Sequence, residues 1–202
     1  MARQYFHSLL GDSLITPVSA VSPGTTATFL LSNGATGLTG QSAKFWPLPY
    51  GQNAPSPGQV FHIKMGGLFT SVAGTFIFNV YYGSGQGATT TTGAVALGAS
   101  ETLTLTAFTA GFFRIEGDLV FRTVSELATS STVWFHGTAT AGGPAANTTA
   151  NAVFSMGSAA AATVDTTGAG TAGGFGAMNV LVTPGTTGSS FTTEYAYCYS
   201  LN

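Results

Sequence analysis

Between residues 112 and 124 the chain reads FFRIEGDLVFRTV, and apolar and polar side chains alternate along it. Ile115, Gly117, Leu119 and Phe121 point one way, and Arg114, Glu116, Asp118 and Arg122 point the other. A period of two marks a strand with one face buried. Ile115, Leu119 and Phe121 are therefore expected in a core and the charges outside it. Gly117 in mid-strand predicts a bulge or a close approach of two backbones. Residues 132–138, TVWFHGT, oppose Val133 and Phe135 to Trp134 and His136 and are the expected neighbour of this strand.

Residues 25–32, TTATFLLS, read as a strand ending at the turn dipeptide Asn33-Gly34. Residues 59–70, QVFHIKMGGLFT, set Phe61, Ile63 and Met65 against His62 and Lys64, and Gly66-Gly67 predicts a break and a bend. Residues 75–82, TFIFNVYY, alternate again after Ala73-Gly74, and these two segments are expected to pair as a hairpin. Short strands at 94–97 and 101–106 precede the 112–124 strand, and strands at 178–183 and 191–199 complete the set. In the last, FTTEYAYCY, strict alternation groups Phe191, Thr193, Tyr195, Tyr197 and Tyr199 opposite Glu194, Ala196 and Cys198. In a monomer this row belongs in the core. In an oligomer Tyr195, Tyr197 and Tyr199 are candidate subunit contacts, because tyrosine joins contact area to a polar tip.

Three stretches lack such alternation. Residues 44–58, KFWPLPYGQNAPSPG, form an extended proline loop in which Pro47 and Pro49 forbid a central strand. That loop is either a binding surface or a cover over one end of the fold. Residues 139–176 are a low-complexity tract rich in glycine, alanine and threonine. Residues 1–16, MARQYFHSLLGDSLIT, read as an arm closed off by Pro17 and Pro23-Gly24. Its Tyr5, Phe6, Leu9, Leu10, Leu14 and Ile15 are too many apolar groups for a solvated tail. Ordering a segment costs about 1–2 kcal/mol per residue, so the arm is expected to settle where a partner buries those groups, or else on its own domain. About eight or nine strands without an amphipathic helix make an all-β chain, and its length favours a jelly-roll-like β-sandwich of about eight strands over an immunoglobulin-like one. The expected organisation is the arm, 1–16, and a single domain, 17–202.

Charged residues are 6% of the chain and the net charge is −2. The five Lys and Arg residues are scattered, so phosphate neutralisation and nucleic-acid binding are not expected. With no long-range field, contacts should form at short range and by shape. No apolar run is long enough to span a membrane as a helix, and the N-terminus lacks a signal-peptide pattern, so use without secretion is expected. The charge ladder on the 112–124 strand reads as a solvated face or an ion-paired interface.

Cys198 is the only cysteine, which excludes an intrachain disulfide and a CxxC metal site and leaves a small core residue. No GxSxG or HExxH motif is present, and Glu116 and Asp118, two residues apart on one face, read as a solvated pair. No catalytic residue, metal or cofactor is expected. His7 has no second ligand at useful spacing, and His136 reads as structural. Gly83, Gly85 and Gly87 lack the Lys-Ser or Lys-Thr of a phosphate loop. Residues 168–173 spell GxGxxG but lead into a strand candidate instead of a helix, and the sequon at Asn147 is a chance match.

The succession FHIKMGG, TFIFNVYYG, TTTTGAVAL, FFRIEGDLVFRTV and STVWFHGT, between Phe61 and Gly137, resembles virion structural proteins of tailed bacteriophages. In those proteins a strand of the type W-R-L-E-G-x-L-x-V-R is followed by G-T-V-W-x-x-G. Phe113-Arg114-Ile115-Glu116-Gly117 and Thr132-Val133-Trp134 to Gly137 fill those places here. The similarity covers somewhat over a third of the chain, and the proline loop and the glycine-alanine tract depart from it. The resemblance implies a head decoration (cement) protein on the capsid surface, made in the host cytoplasm. Its implied partners are the major capsid protein, through the arm, and itself, as a homotrimer. A tail-fibre or receptor-binding module is the alternative, and a carbohydrate-active enzyme a third reading.

Overall fold

The computed structural model describes residues 24–25, 27–30, 46–47, 55–82, 94–125, 131–143, 152–158, 160–164 and 177–201. Twelve strands occur among them, and no helix. They are β1 (Thr28–Phe29), β2 (Trp46–Pro47), β3 (Val60–Ser71), β4 (Gly74–Tyr82), β5 (Val95–Ser100) and β6 (Leu103–Leu105). Then come β7 (Phe108–Thr123), β8 (Ser131–Gly142), β9 (Ala152–Gly157), β10 (Ala162–Val164), β11 (Ala177–Pro184) and β12 (Ser190–Ser200). The protein is all-β, one antiparallel sheet in the order β1-β11-β4-β5-β9-β8-β7-β3-β12, with β10 on β8, β2 on β11 and β6 on β4.

The alternation of β7 is realised as expected. Ile115, Leu119 and Phe121, with Val133 and Phe135 of the neighbouring β8, are fully buried, while Arg114 and Arg122 are exposed and Glu116 half-buried. Gly117 marks a close approach and not a bulge. A Cβ there would lie 2.5 Å from the His136 carbonyl oxygen and 2.7 Å from the Phe135 ring.

The expected hairpin between β3 and β4 does not form. β3 pairs with β7 and β12, whereas β4 pairs with β11, β5 and β6. Ala73-Gly74 is a corner in one long ribbon, not a reversal. β3 and β4 run on against β12 and β11 in a single register, from Tyr82↔Met178 to Pro184↔Phe76 and on from Ser190↔Thr70 to Thr193↔Gly67. At the corner the two connections are tied together. Gly185 N donates to Thr75 O at 2.7 Å, Val72 N to Ser189 Oγ at 3.1 Å, and Thr186 Oγ1 to Ala73 O at 3.3 Å. Backbone groups that a hairpin would pair internally find partners on the second ribbon strand instead.

Folding this ribbon over curls the sheet and sets its inner face against itself. Phe191 of β12 is the hub: it stacks on Phe69 (4.3 Å, 14°) and meets Phe113, Phe76 and Phe78 edge-on at 5.7, 6.2 and 6.2 Å. Full burial of such a ring stabilises by about 1.5–3 kcal/mol. The two ends of the strand order also approach each other, where Thr193 Oγ1 donates to Leu30 O at 3.0 Å.

The glycine-alanine tract holds the end of β8, all of β9 and β10. β9 (AVFSMG) and β10 (ATV) are too short, and too closely set among small residues, for alternation to mark them, and it is the ladder to β8 that makes strands of them. In the proline loop, Trp46 and Pro47 pair with β11 at its end. The arm, with Tyr5, Phe6, Leu9, Leu10, Leu14 and Ile15, lies outside the described residues. So do Asn33-Gly34, residues 83–93, the sequon and the GxGxxG segment.

Cys198 is core, and burial pushes its thiol from 9.0 up to about 12. The folded chain holds that proton more tightly than the unfolded chain. Its contribution to stability is therefore complete below pH 9.0 and is lost as the pH rises through about 12. Native protein at pH 8 is expected to resist thiol alkylation, and unfolded protein to react at once. Fast labelling without unfolding would show the thiol to be accessible.

Candidate functional site: the outer face of β12, β3, β7, β8 and β9

The one chemically dense surface among the described residues is the outer side of the half-sheet built on β7. Its rows follow from register. Tyr199 pairs with His62, His62 with Asp118 and Asp118 with His136. Tyr197 pairs with Lys64, Lys64 with Glu116, and Glu116 with Thr138. Tyr195 pairs with Gly66, and Gly66 with Arg114.

The tyrosines stand on this face because of a bulge. Pairing of β12 with β3 shifts between Thr193 and Tyr195, opposite Gly67 and Gly66. Phe191 and Thr193 therefore point inward, followed after the bulge by Ala196 and Cys198, while Tyr195, Tyr197 and Tyr199 are half-buried on the outside. The single aromatic row expected from strict alternation is corrected to two groups on opposite faces. One extra residue reverses every side chain beyond it. The rings run in series, with Tyr195–Tyr197 at 6.1 Å, Tyr197–Tyr199 at 6.0 Å and Tyr199–His62 at 5.1 Å. Gly66 makes the seat for Tyr195, whose hydroxyl would be 2.5 Å from a Cβ placed there.

Five of the titratable side chains on this face, Lys64, Arg114, Glu116, His62 and Asp118, are paired with one another. Arg114 Nε donates to Glu116 Oε2 at 3.1 Å and a second guanidinium nitrogen reaches the same oxygen, while Lys64 Nζ lies 3.8 Å from it. His62 Nδ1 and Asp118 Oδ1 are 2.6 Å apart. The hydrogen bond to Glu116 raises the Arg114 pKa, desolvation opposes it, and the nearby Tyr195 and Tyr197 add to the rise. Partly exposed pairs of this kind are worth about 0–1 kcal/mol, so their effect is to neutralise the surface more than to hold the fold. Around them, Leu68 (54% exposed) and its register partner Phe112 (42%) lie near one end of the face, and Trp134 (39%) near the other.

Beyond β8 the same face opens into a recess of about 380 Å³. Its floor includes Ala99 and Gly157, which pair with each other, and Gly157 also pairs with His136. Glu101, His136, Ser155 and Ser158 supply its polar walls. Trp134 is outside this lining but touches two of its residues, with Nε1 donating to Ser158 O at 2.9 Å and its ring edge-on to His136 at 5.3 Å.

No known protein family, curated protein or solved structure matches the chain.

Sequence reading singled out Tyr195, Tyr197 and Tyr199, and the structure brings them together on this face. The roles of Lys64, His62, Glu101, Leu68 and Phe112 were not foreseen. Alternation told that His62 and Lys64 shared a side, but only the register of β3 against β7 shows which carboxylates they meet. The Leu68–Phe112 pair carried a signal in principle: both are apolar residues at polar positions of an alternating strand.

Proposed function

We propose that this chain is a non-catalytic structural protein of a tailed-bacteriophage particle, of the head-decoration type. It associates with itself through the outer tyrosine face and attaches to the major capsid protein through residues 1–16. The observation that carries this reading is the chemistry of the face: three tyrosines in series, exposed Leu68, Phe112 and Trp134, and Lys64, Arg114, Glu116, His62 and Asp118 paired among themselves. Aromatic side chains with polar tips and a depleted free charge are what protein contacts select. The resemblance of the strand pattern to virion structural proteins supplies the setting, and homotrimer is the state it implies.

The test is solution mass together with co-sedimentation on expanded, undecorated capsids. The full chain is expected to self-associate and to bind. Replacing Tyr195, Tyr197 and Tyr199 by Ser should leave a folded monomer, since buried tyrosine anchors are worth about 2 kcal/mol or more each. Deleting residues 2–16 should leave a folded oligomer that no longer binds capsids. A full-length chain that stays monomeric at micromolar concentration whatever the salt, and that ignores capsids, would sink the reading. The receptor-binding alternative has one observation in its favour, the recess beside Trp134.

A further inference from the structure

We propose that the recess between β5, β8 and β9 binds an uncharged saccharide ring, with Trp134 as the stacking platform and Glu101, His136, Ser155 and Ser158 as hydrogen-bonding groups. This goes beyond the decoration reading and does not depend on it.

The shape is set by small residues. Gly157 and Ala99 lie side by side on the outer face, and neither has a side chain that could fill the space beside His136. The backbones are drawn close here, so that a Cβ on Gly98 would lie 2.6 Å from Gly157 Cα. The resulting volume of about 380 Å³ sits at the small end of ligand sites, enough for one or two sugar rings, and it is open to solvent, so a ring within a longer chain could enter.

The chemistry is matched to hydroxyl groups. A sugar hydroxyl both donates and accepts, and it needs partners of both kinds. The Glu101 carboxylate accepts, the serine hydroxyls do either, and the imidazole of His136 offers one ring nitrogen of each type when neutral. Pyranose rings also present a flat C–H face, which lies well on an aromatic ring. Trp134 offers such a ring in a fixed pose, because its indole N–H is held by the Ser158 carbonyl. Among the described residues, Glu101 is the only formally charged side chain of the lining, with no Lys or Arg beside it. An anionic sugar, a phosphate or a nucleotide would meet a negative charge without a counter-charge. A purely apolar ligand would strand four polar groups.

The probes are glucose, galactose, N-acetylglucosamine and their neutral disaccharides, glucuronate as the anionic control, and purified bacterial surface polysaccharide. The readouts are the amide NMR shifts of Gly157 and Ser158, and tryptophan fluorescence in a Trp46→Phe background, which leaves Trp134 as the only tryptophan. Saturable shifts with at least one neutral ligand are expected, weakened about tenfold or more, some 1.4 kcal/mol, by Trp134→Ala and by Glu101→Gln. Trp134 and Glu101 are exposed, so their substitution is expected to leave thermal melting as in the Trp46→Phe parent, which checks that the variants fold. Response to small sugars identifies a free-sugar site; response to polysaccharide alone identifies a surface glycan. The proposal is overturned if no neutral saccharide gives a saturable shift, if glucuronate binds equally well, or if the two variants bind like the parent. Capsid co-sedimentation of the Glu101→Gln variant, which alters no residue of the tyrosine contact face, should be unaffected, so failure here is read separately from failure of the decoration reading.

Discussion

Phe191→Ala is expected to lower unfolding stability by about 3–5 kcal/mol, the cost of emptying a large buried aromatic site. The size follows from position. Phe191 lies where the two halves of the folded ribbon face each other, and its ring contacts reach β3, β4 and β7. Those partners come from three strands of the curled sheet, so no single side chain can relax into the hole without losing its own contacts. Each aromatic pair adds about 0.5–1.5 kcal/mol beyond buried area, and domains of this kind hold only about 5–15 kcal/mol in total. A sharp fall in urea midpoint and in soluble yield is therefore expected. Phe112→Ala is the control: it removes the same ring from the outer face, where Phe112 is exposed, and should change stability by about 0.5 kcal/mol or less. If the two variants melted alike, the assignment of inner and outer faces would be wrong.

How much of this was legible beforehand depended on the range of the interaction involved. The faces of β7 and β8 were readable because alternation is local and both strands run for many residues without interruption. The β7–β8 pairing was readable because the strands follow one another in the chain. The pairing of β3 was not. Nothing local distinguishes Ala73-Gly74 as a corner from Ala73-Gly74 as a turn, since that depends on whether β11 and β12, a hundred residues later, supply a continuous partner. The strands in the glycine-alanine tract were hidden for a different reason: at six and three residues, β9 and β10 are too short to show a sustained pattern among the surrounding small residues, and backbone pairing defines them. Of the candidate site, the tyrosines were found by their spacing, but the face they occupy was set by one unpaired residue at Glu194 that alternation cannot see. Trp134 and His136 were noticed as neighbours on one face. The recess beside them is made by what is missing at Gly157 and Ala99, and absence of side chain carries no periodic signal.

That bulge leads to the last prediction. Gly67→Ala is expected to cost about 3 kcal/mol or more, at or above the upper end of ordinary overpacking penalties, and to disturb the tyrosine face with it. A Cβ on Gly67 would lie 1.9 Å from the Thr192 carbonyl oxygen and 2.8 Å from the Glu194 amide nitrogen. Both obstacles are backbone of β12, at the place where the extra residue is accommodated, so rotating a side chain cannot relieve the clash. The strand must either move away from β3, losing ladder hydrogen bonds, or shed the bulge and slip by one residue. A slip would carry Tyr195, Tyr197 and Tyr199 toward the core and push Ala196 and Cys198 out. Both routes are measurable by urea unfolding together with alkylation of Cys198, which is buried in the parent. Gly58→Ala provides the comparison, because Gly58 has positive φ but nothing within 4 Å of its Cβ position. That variant should cost only the conformational penalty of about 1–2 kcal/mol and leave Cys198 protected. If Gly67→Ala instead proved as stable as the parent, with Cys198 still unreactive, then β12 does not press on Gly67, and another feature of the strand must turn the tyrosines outward.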